Sequence, residues 1–329
     1  MMKKQWVKSF TSITCIMLFG FALCFAQKPQ KQPDGSYQFI DKSGKIIKKL
    51  GRWKYASSFW HYADNYAIVK GFDGAKYYLT KSGKAYKLAW GLQRLTPDKE
   101  AVSFSPIFFR TKTEYNKIFS HPQLKIIIID RGSCQLRRHD VQTLMAGIKT
   151  FKNLEVLDID MGDLKEIPKE IGQLTQLKYL SLQNQLLERI PLAISKLKNL
   201  QTLDLSDNQI KYLPVAIGQL TQLKWLNLSR NSLVRISSRI GQLKQLQILN
   251  LNCNRDAFAS YVNERSQVRY WKLKDKTSSL KELPKEILQL SKLKELILSE
   301  NKGLKMSNVQ QQLHMRLPNC NVVFPHSKN

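Results

Sequence analysis

Apolar residues in the second half of the chain recur with a period far longer than any single helix or strand. Leu154, Leu177, Leu200, Leu223 and Leu246 fall 23 residues apart, and Leu293 follows 47 residues later. The clearest copy, L-Q-T-L-D-L-S-D-N-Q-I-K-Y-L-P-V-A-I-G-Q-L-T-Q, runs from Leu200 to Gln222. Within it Leu203 and Leu205 alternate with Thr202, Asp204 and Ser206, which predicts one short strand per copy, leucines on one face and polar side chains on the other. Repetition at this period predicts stacked turns whose strands lie side by side, about 4.8 Å apart, in a parallel sheet over a column of leucines. A proline-led stretch follows each strand: I-P-K-E-I-G-Q-L from Ile167, I-P-L-A-I-S-K-L from Ile190, L-P-V-A-I-G-Q-L from Leu213 and L-P-K-E-I-L-Q-L from Leu283. Proline suits a first helical position, and Ile217 with Leu220 supplies an apolar stripe, so the return segment reads as a short helix or 3-10 turn. Such a segment is wider than a strand, which puts the sheet on the concave side of a curving stack.

Asn208, Asn231, Asn254 and Asn301 share one position, where the chain leaves the strand and its backbone groups lose their ladder partners. A buried side-chain amide has the donors and the acceptor to satisfy them. Gly162 and Gln185 occupy that position in the first two regular copies, which predicts a weaker ladder at that end. The L-x-x-L-x-L-x-x-N-x-L frame resembles the leucine-rich-repeat family of the 23-residue bacterial type, over roughly half of the chain. The resemblance implies an α/β fold: a curved leucine-rich-repeat solenoid with a parallel sheet inside and short helices or 3-10 turns outside. It also implies protein binding as a class.

Upstream, Leu124, Ile127 and Ile129 repeat the frame in an atypical first turn, and D-V-Q-T-L-M-A-G-I from Asp140 and T-E-Y-N-K-I-F-S from Thr113 read as helices that close the open end. The repeat domain is thus predicted over residues 124–306, after a connector and helical cap over 92–123. Inside it, 255–279 is irregular, and Val268, Trp271 and Leu273 continue the frame there as a degenerate strand, because a missing strand would leave two sheet edges exposed. Residues 307–329 form a C-terminal cap, a helix from Asn308 and an edge strand from Cys320. A second repeat sits near the start: G-S-Y-Q-F-I-D-K-S-G-K from Gly35 returns as G-A-K-Y-Y-L-T-K-S-G-K from Gly74, 39 residues on. Aromatic and aliphatic residues between glycine turns predict antiparallel hairpins over 35–91, after a polar, proline-bearing linker over 27–34, and F-W-H-Y-A-D-N-Y-A-I-V-K from Phe59 reads as a strand. This small antiparallel β module resembles WG repeats, with Tyr37-Gln38 and Tyr77-Tyr78 standing where that family has Trp-Gly.

Charge and targeting narrow the setting. Lys3, Lys4 and Lys8 precede an apolar run from Phe10 to Phe25, and Ala26 is a small residue suited to cleavage, the pattern of a signal peptide over 1–26. Export to the envelope or exterior is the expectation, with a cytoplasmic signalling scaffold as the alternative. The formal charge of +28 becomes +25 without that segment's three lysines. A polyanion partner, such as an envelope glycan, is one meaning of that charge. A soluble lysine-rich surface is the other, and is favoured because the lysines are scattered rather than grouped in runs. Cys134, Cys253 and Cys320 are odd in number and widely spaced, which is no disulfide framework.

No catalytic or metal constellation stands out, and no cofactor is expected. The five histidines are dispersed, and Cys134, His139 and Asp140 are merely near one another in sequence. The candidate site is instead the concave face. One row holds Val156, Tyr179, Thr202, Trp225 and Ile248; its neighbour holds Asp158, Ser181, Asp204, Asn227 and Asn250; a third holds Asp160, Gln183, Ser206, Ser229 and Asn252. Tyr and Trp there would anchor a protein partner. Asp130, Asp158 and Asp160 with nearby Glu155 form an acidic corner suited to a partner's lysines, solvation or Ca²⁺.

Overall fold

The computed structural model describes residues 28–41, 43, 45–56, 66–104, 112–129, 138–160, 162, 164–254, 280–301, 303–304 and 307–324. The predicted signal peptide and the irregular segment 255–279 lie outside the described residues. The chain divides into two compact units, Met1–Ala89 and Trp90–Asn329.

In the first unit, β1 (Lys28–Lys31), β2 (Tyr37–Ile40) and β3 (Arg52–Trp53) make an antiparallel sheet, and β4 (Tyr55–Ala56), β5 (Tyr66–Lys70), β6 (Lys76–Thr80) and β7 (Ala85–Trp90) make an antiparallel run. The 39-residue echo is structural. Gly35 and Gly74 both take left-handed backbone, φ 81° and 80°, each after an aspartate whose carboxylate accepts from the amide two residues on, Asp34 from Ser36 at 2.9 Å and Asp73 from Ala75 at 3.0 Å. Phe39, Leu50, Ala67, Val69 and Leu79 form the core. The predicted linker is in fact β1, with Pro29 opposite Phe39. It is an edge strand, the one place in a sheet where proline's missing donor costs nothing. Of the strand expected from Phe59, only Tyr66–Lys70 is among the described residues.

In the second unit, a parallel sheet runs in sequence order through β8 (Ala101–Phe104), β9 (Ile126–Ile129), β10 (Val156–Ile159), β11 (Tyr179–Ser181), β12 (Thr202–Asp204), β13 (Trp225–Asn227), β14 (Ile248–Asn250), β15 (Glu295–Ile297) and β16 (Asn321–Val323). Helices α1 (Lys112–Phe119), α2 (Arg138–Gly147) and α3 (Ser307–Arg316) match the predicted caps. The register is the one the 23-residue period demands, Tyr179 opposite Thr202 and Thr202 opposite Trp225. Leu200, Leu203, Leu205, Ile217 and Leu220 are fully buried. Each such side chain contributes about 1.5–3 kcal/mol.

Each return segment is a 3-10 turn of five residues: Lys169–Gln173, Leu192–Lys196, Val215–Gln219, Ser238–Gln242 and Lys285–Gln289. Pro168, Pro191, Pro214 and Pro284 stand one residue before the turn, at the cap, and not inside it as expected. Their φ near −70° joins extended backbone to the turn, and Ser237 caps the fourth one through its hydroxyl, which accepts from Arg239 N at 3.2 Å. The turns stack on one another on the side away from the sheet, giving the curved solenoid.

Two further expectations change. The region taken as a connector contains β8, which pairs with β9 through Ala101 and Ile126, so the sheet begins earlier than the leucine frame does. And β14 pairs directly with β15, Ile248 opposite Glu295, with Leu251 N donating to Ile297 O at 2.9 Å. The degenerate strand predicted at Val268, Trp271 and Leu273 therefore does not stand between β14 and β15. The two edges that argued for it close on each other, and Val268, Trp271 and Leu273 themselves lie outside the described residues.

The amide ladder is present. Asn208 Nδ2 donates to the carbonyls of Leu182 (2.8 Å), Leu205 and Ser206 (both 3.1 Å), and its Oδ1 accepts from Leu187 N at 3.0 Å. Asn231, Asn254 and Asn301 repeat the scheme on Leu205, Leu228 and Leu251. At the N-terminal end the ladder continues through a longer residue. Gln185 Nε2 reaches Ile159 O and Gln183 O at 3.2 Å, and its Oε1 faces Leu164 N at 3.4 Å. The space it needs comes from Gly162, where an added Cβ would sit 2.4 Å from Gln185 Oε1. Immediately before each ladder amide stands a non-glycine residue in left-handed backbone, Asn184, Asp207, Arg230, Cys253 and Glu300, with φ from 53° to 59°. That conformation costs roughly 1–2 kcal/mol per residue. It turns the next side chain inward, where its hydrogen bonds offset the cost.

Candidate functional site

The strands bring the predicted rows together in register. Val156, Tyr179, Thr202, Trp225 and Ile248 are consecutive partners across β10 to β14, and so are Asp158, Ser181, Asp204, Asn227 and Asn250. Their exposure differs from expectation. Val156, Tyr179, Thr202, Asp158, Asp204 and Asn227 are buried, Asp204 completely, while Trp225, Ile248 and Asn250 are half-buried. At strand spacing, side chains of one row shield each other's flanks, and short side chains such as Ser181 and Thr202 sink between their longer neighbours. In the first two rows the part-accessible positions among these are on β13 and β14, while in the third row Gln183, Ser206, Ser229 and Asn252 are buried and Asp160 is half-buried.

The middle row is a hydrogen-bonded polar seam. Asp204 Oδ1 accepts from Ser206 N at 2.9 Å and from Ser206 Oγ at 2.6 Å, and Asn227 Nδ2 donates to Asp204 Oδ2 at 3.2 Å. Asn227 and Asn250 repeat the local turn onto Ser229 N and Asn252 N. Burial pushes the Asp204 carboxyl up from 3.8 to about 6 against the pull of the Ser206 and Asn227 hydrogen bonds, and the charge of Asp158 adds to the rise. Sequence reasoning placed Asp204 in the row and missed its depth, which depends on neighbours two turns away.

The acidic corner does not assemble as expected. Glu155 pairs with Lys178 at 2.7 Å on the strand-entry edge, Asp160 Oδ1 accepts from Asn184 Nδ2 at 2.8 Å, Asp158 is buried in the seam, and Asp130 lies outside the described residues. Among the described residues no group of three or more His, Cys, Asp and Glu gathers at metal-binding distance. Cys253 and Cys320 are free thiols, both buried, and burial with nearby Glu295 pushes Cys320 up to about 11, opposite to what a nucleophile needs. His121 is spent structurally, its Nδ1 lying 2.7 Å from Lys117 O. Cys134 and the side chains of His139 and Asp140 lie outside the described residues.

A parallel-sheet solenoid of this kind, a leucine column under rows of polar side chains, is a repeat scaffold of the sort that works through its surfaces. Residues 133–266 match the family model described as a leucine-rich repeat region, and the second unit has the fold of a leucine-rich-repeat solenoid. A leucine-rich-repeat protein of Leptospira interrogans is similar to it at 30% identity and a TM-score of 0.52, over 69% of this chain and 49% of that one. The plant peptide hormone receptor RGFR1, solved in complex with RGF2, shares the fold at 22% identity and a TM-score of 0.51, over 79% of this chain and 36% of that one. The chain thus spans about half the length of the first and little more than a third of the second. None of the curated proteins matches it.

Proposed function

We propose that the chain is a non-enzymatic binding module of the bacterial envelope or exterior that holds a protein partner on the C-terminal half of its concave face. One observation carries the reading: Trp225 and Ile248 stand opposite each other across β13 and β14 and keep partial exposure, in a row whose earlier positions are buried. An aromatic beside a branched aliphatic gives a contact of large area and small entropic cost. The repeat fold supports protein binding as a class, and export rests on the lysine-led apolar run of residues 1–26.

The test is partner capture with the purified chain, wild type against Trp225→Ala plus Ile248→Ala. Loss of an anchor of this type costs about 2 kcal/mol or more, roughly thirtyfold in affinity. Undiminished binding by a folded double variant refutes the face. For export, fractionation with N-terminal sequencing expects a new terminus near Gln27 outside the cytosol. An intact Met1 in the cytosol would instead support the intracellular scaffold.

A further inference from the structure

Lysines that are scattered in sequence become a row in the solenoid. Each of the strands β10 to β15 is entered past at least one exposed lysine. Lys152, Lys198 and Lys244 lie five or more residues before the leucines of β10, β12 and β14, and Lys178, Lys224 and Lys294 directly precede β11, β13 and β15. The entry backbone fixes their spacing, since Lys178, Gln201, Lys224, Gln247 and Lys294 form a hydrogen-bonded spine, each amide donating to the preceding carbonyl at 2.7–2.8 Å. Lys178 and Lys224 are therefore two turns apart in one line, about 10 Å, and Lys152, Lys198 and Lys244 form a second line of the same spacing three residues earlier in the turn. Within either of the two alternating positions they are two turns apart, about a Debye length at 0.1 M salt, which limits their mutual repulsion.

Their partners hold them without neutralising them. Lys152 donates to Gln173 Oε1 (3.1 Å), Lys198 to Gln219 Oε1 (3.0 Å), Lys224 to Gln201 Oε1 (2.9 Å) and Lys244 to Gln289 Oε1 (3.3 Å), all neutral amides. Along this edge Glu155 pairs with Lys178 and, nearer the N-terminal end, Glu100 with Lys125, while the entry positions of β11 to β14 bring no carboxylate of their own. On the opposite edge, where the chain leaves each strand, acids stand among the cations, Lys165 with Glu166, Glu188 with Arg189 and Lys281 with Glu282, beside Lys211 and Arg235. The entry edge from β10 to β15 thus carries more uncompensated lysines than the exit edge.

We infer that the strand-entry edge binds a linear anionic polysaccharide, laid along the stack with its charges against successive lysines. Within each line the spacing of about 10 Å is close to the length of two sugar rings, the repeat of a chain charged on every second sugar. Between the lysines stand Asn153, Gln176, Asn199, Thr221 and Gln222, all exposed, whose amides and hydroxyls suit sugar hydroxyls. Among the described residues the entry positions of β10 to β15 hold no aromatic side chain to stack a base and no arginine to fork a phosphate, the features a nucleic acid would call for.

The test compares the full chain with an edge variant, Lys152→Gln, Lys198→Gln and Lys244→Gln, and a charge-matched control from the other edge, Lys165→Gln, Lys211→Gln and Lys281→Gln. Binding is measured to heparin, to polygalacturonate and to single-stranded DNA in 0.15 M NaCl, with circular dichroism to verify folding. The edge variant is expected to lose at least tenfold in affinity for the polysaccharide it binds, and the control less than threefold. Binding to polygalacturonate as well as heparin identifies carboxylate as sufficient, and binding to heparin alone identifies sulfate; either supports the site. Equal losses in both variants, absence of polysaccharide binding, or tighter binding to the DNA overturns it. Should the edge variant fail to fold, Lys224→Gln plus Lys294→Gln tests the same row from its alternating position.

Discussion

Asp204 gives the solenoid a dependence on pH whose sign can be worked out. Its carboxyl is fully buried on the middle row and titrates near 6 in the folded chain, against 3.8 ordinarily. The native state therefore holds the proton more tightly than the unfolded chain does. This group's stabilising influence is complete below about pH 4 and is lost as pH rises through 6. A difference of about 2 pH units at about 1.4 kcal/mol each makes the ionised form roughly 3 kcal/mol less stable in the fold at pH 7. Asp204→Asn removes the charge and keeps the shape. Asn227 and Asn250 already hold the same local turn in the same row, so the Ser206 contacts survive. The bond from Asn227 Nδ2 is lost, at about 1 kcal/mol. The variant should thus be more stable than the parent by about 2 kcal/mol at pH 7.5, and equal to it or about 1 kcal/mol less stable at pH 4.5. Urea unfolding of both proteins at several values between those limits measures the difference, with effects of other carboxylates cancelling. A difference that does not change with pH, or that favours the parent more at pH 7.5 than at 4.5, would refute burial as the dominant influence on Asp204.

Asn208→Ala should cost roughly 1–3 kcal/mol in urea unfolding by stranding the carbonyls of Leu182 and Leu205 and the Leu187 amide; Gln185→Ala, with its longer bonds, should cost less. Gly162→Ala should cost roughly 1–3 kcal/mol, because the new Cβ meets Gln185 Oε1 and Val141 Cγ2, 2.4 and 2.9 Å away. Combining it with Gln185→Ala removes the first clash, so the double variant should be more stable than the sum of the single losses, measured as a double-mutant cycle. Leu203→Ala should cost roughly 2–5 kcal/mol as a fully buried cavity, read from the same denaturation curves.

The solenoid was legible because its leucines, ladder asparagines and cap prolines satisfy local needs that recur at a fixed period. What periodicity could not supply lay off the frame. Ala101–Phe104 joins the sheet with no leucine to mark it, because the strand is defined by pairing with Ile126–Ile129 and not by its own pattern. The closure of β14 on β15 is likewise a pairing choice, invisible in residues that merely interrupt the count. Asn184, Asp207, Arg230, Cys253 and Glu300 share left-handed backbone without sharing chemistry, so no residue preference announces the position. On the concave face, Thr202, Asp204 and Asn227 were placed in the right rows and expected at the wrong depth. Alternation along a strand says which way a side chain points; how much of it remains accessible depends on the side chains stacked beside it.

Stacking also changes what composition means. In a compact domain, a position's neighbours come from many places in sequence, and scattered lysines stay scattered. In a solenoid each turn touches chiefly the turns before and after it, so a residue type repeated at one point of the period becomes a line. The leucines make such a line inside, the ladder amides a second, and the entry lysines a third on the surface. The first two are required by the backbone and the core, since removing a rung strands polar groups or opens a cavity. Nothing in the fold requires the third: Thr175 and Gln201 occupy the same two positions in neighbouring turns and the stack continues through them. A lysine at every turn, most of them held by neutral amides and only Lys178 by a carboxylate, is thus free of structural duty. That freedom is why the charge on this edge points to a bound partner, whereas the polar seam of the concave face is accounted for by its own hydrogen bonds.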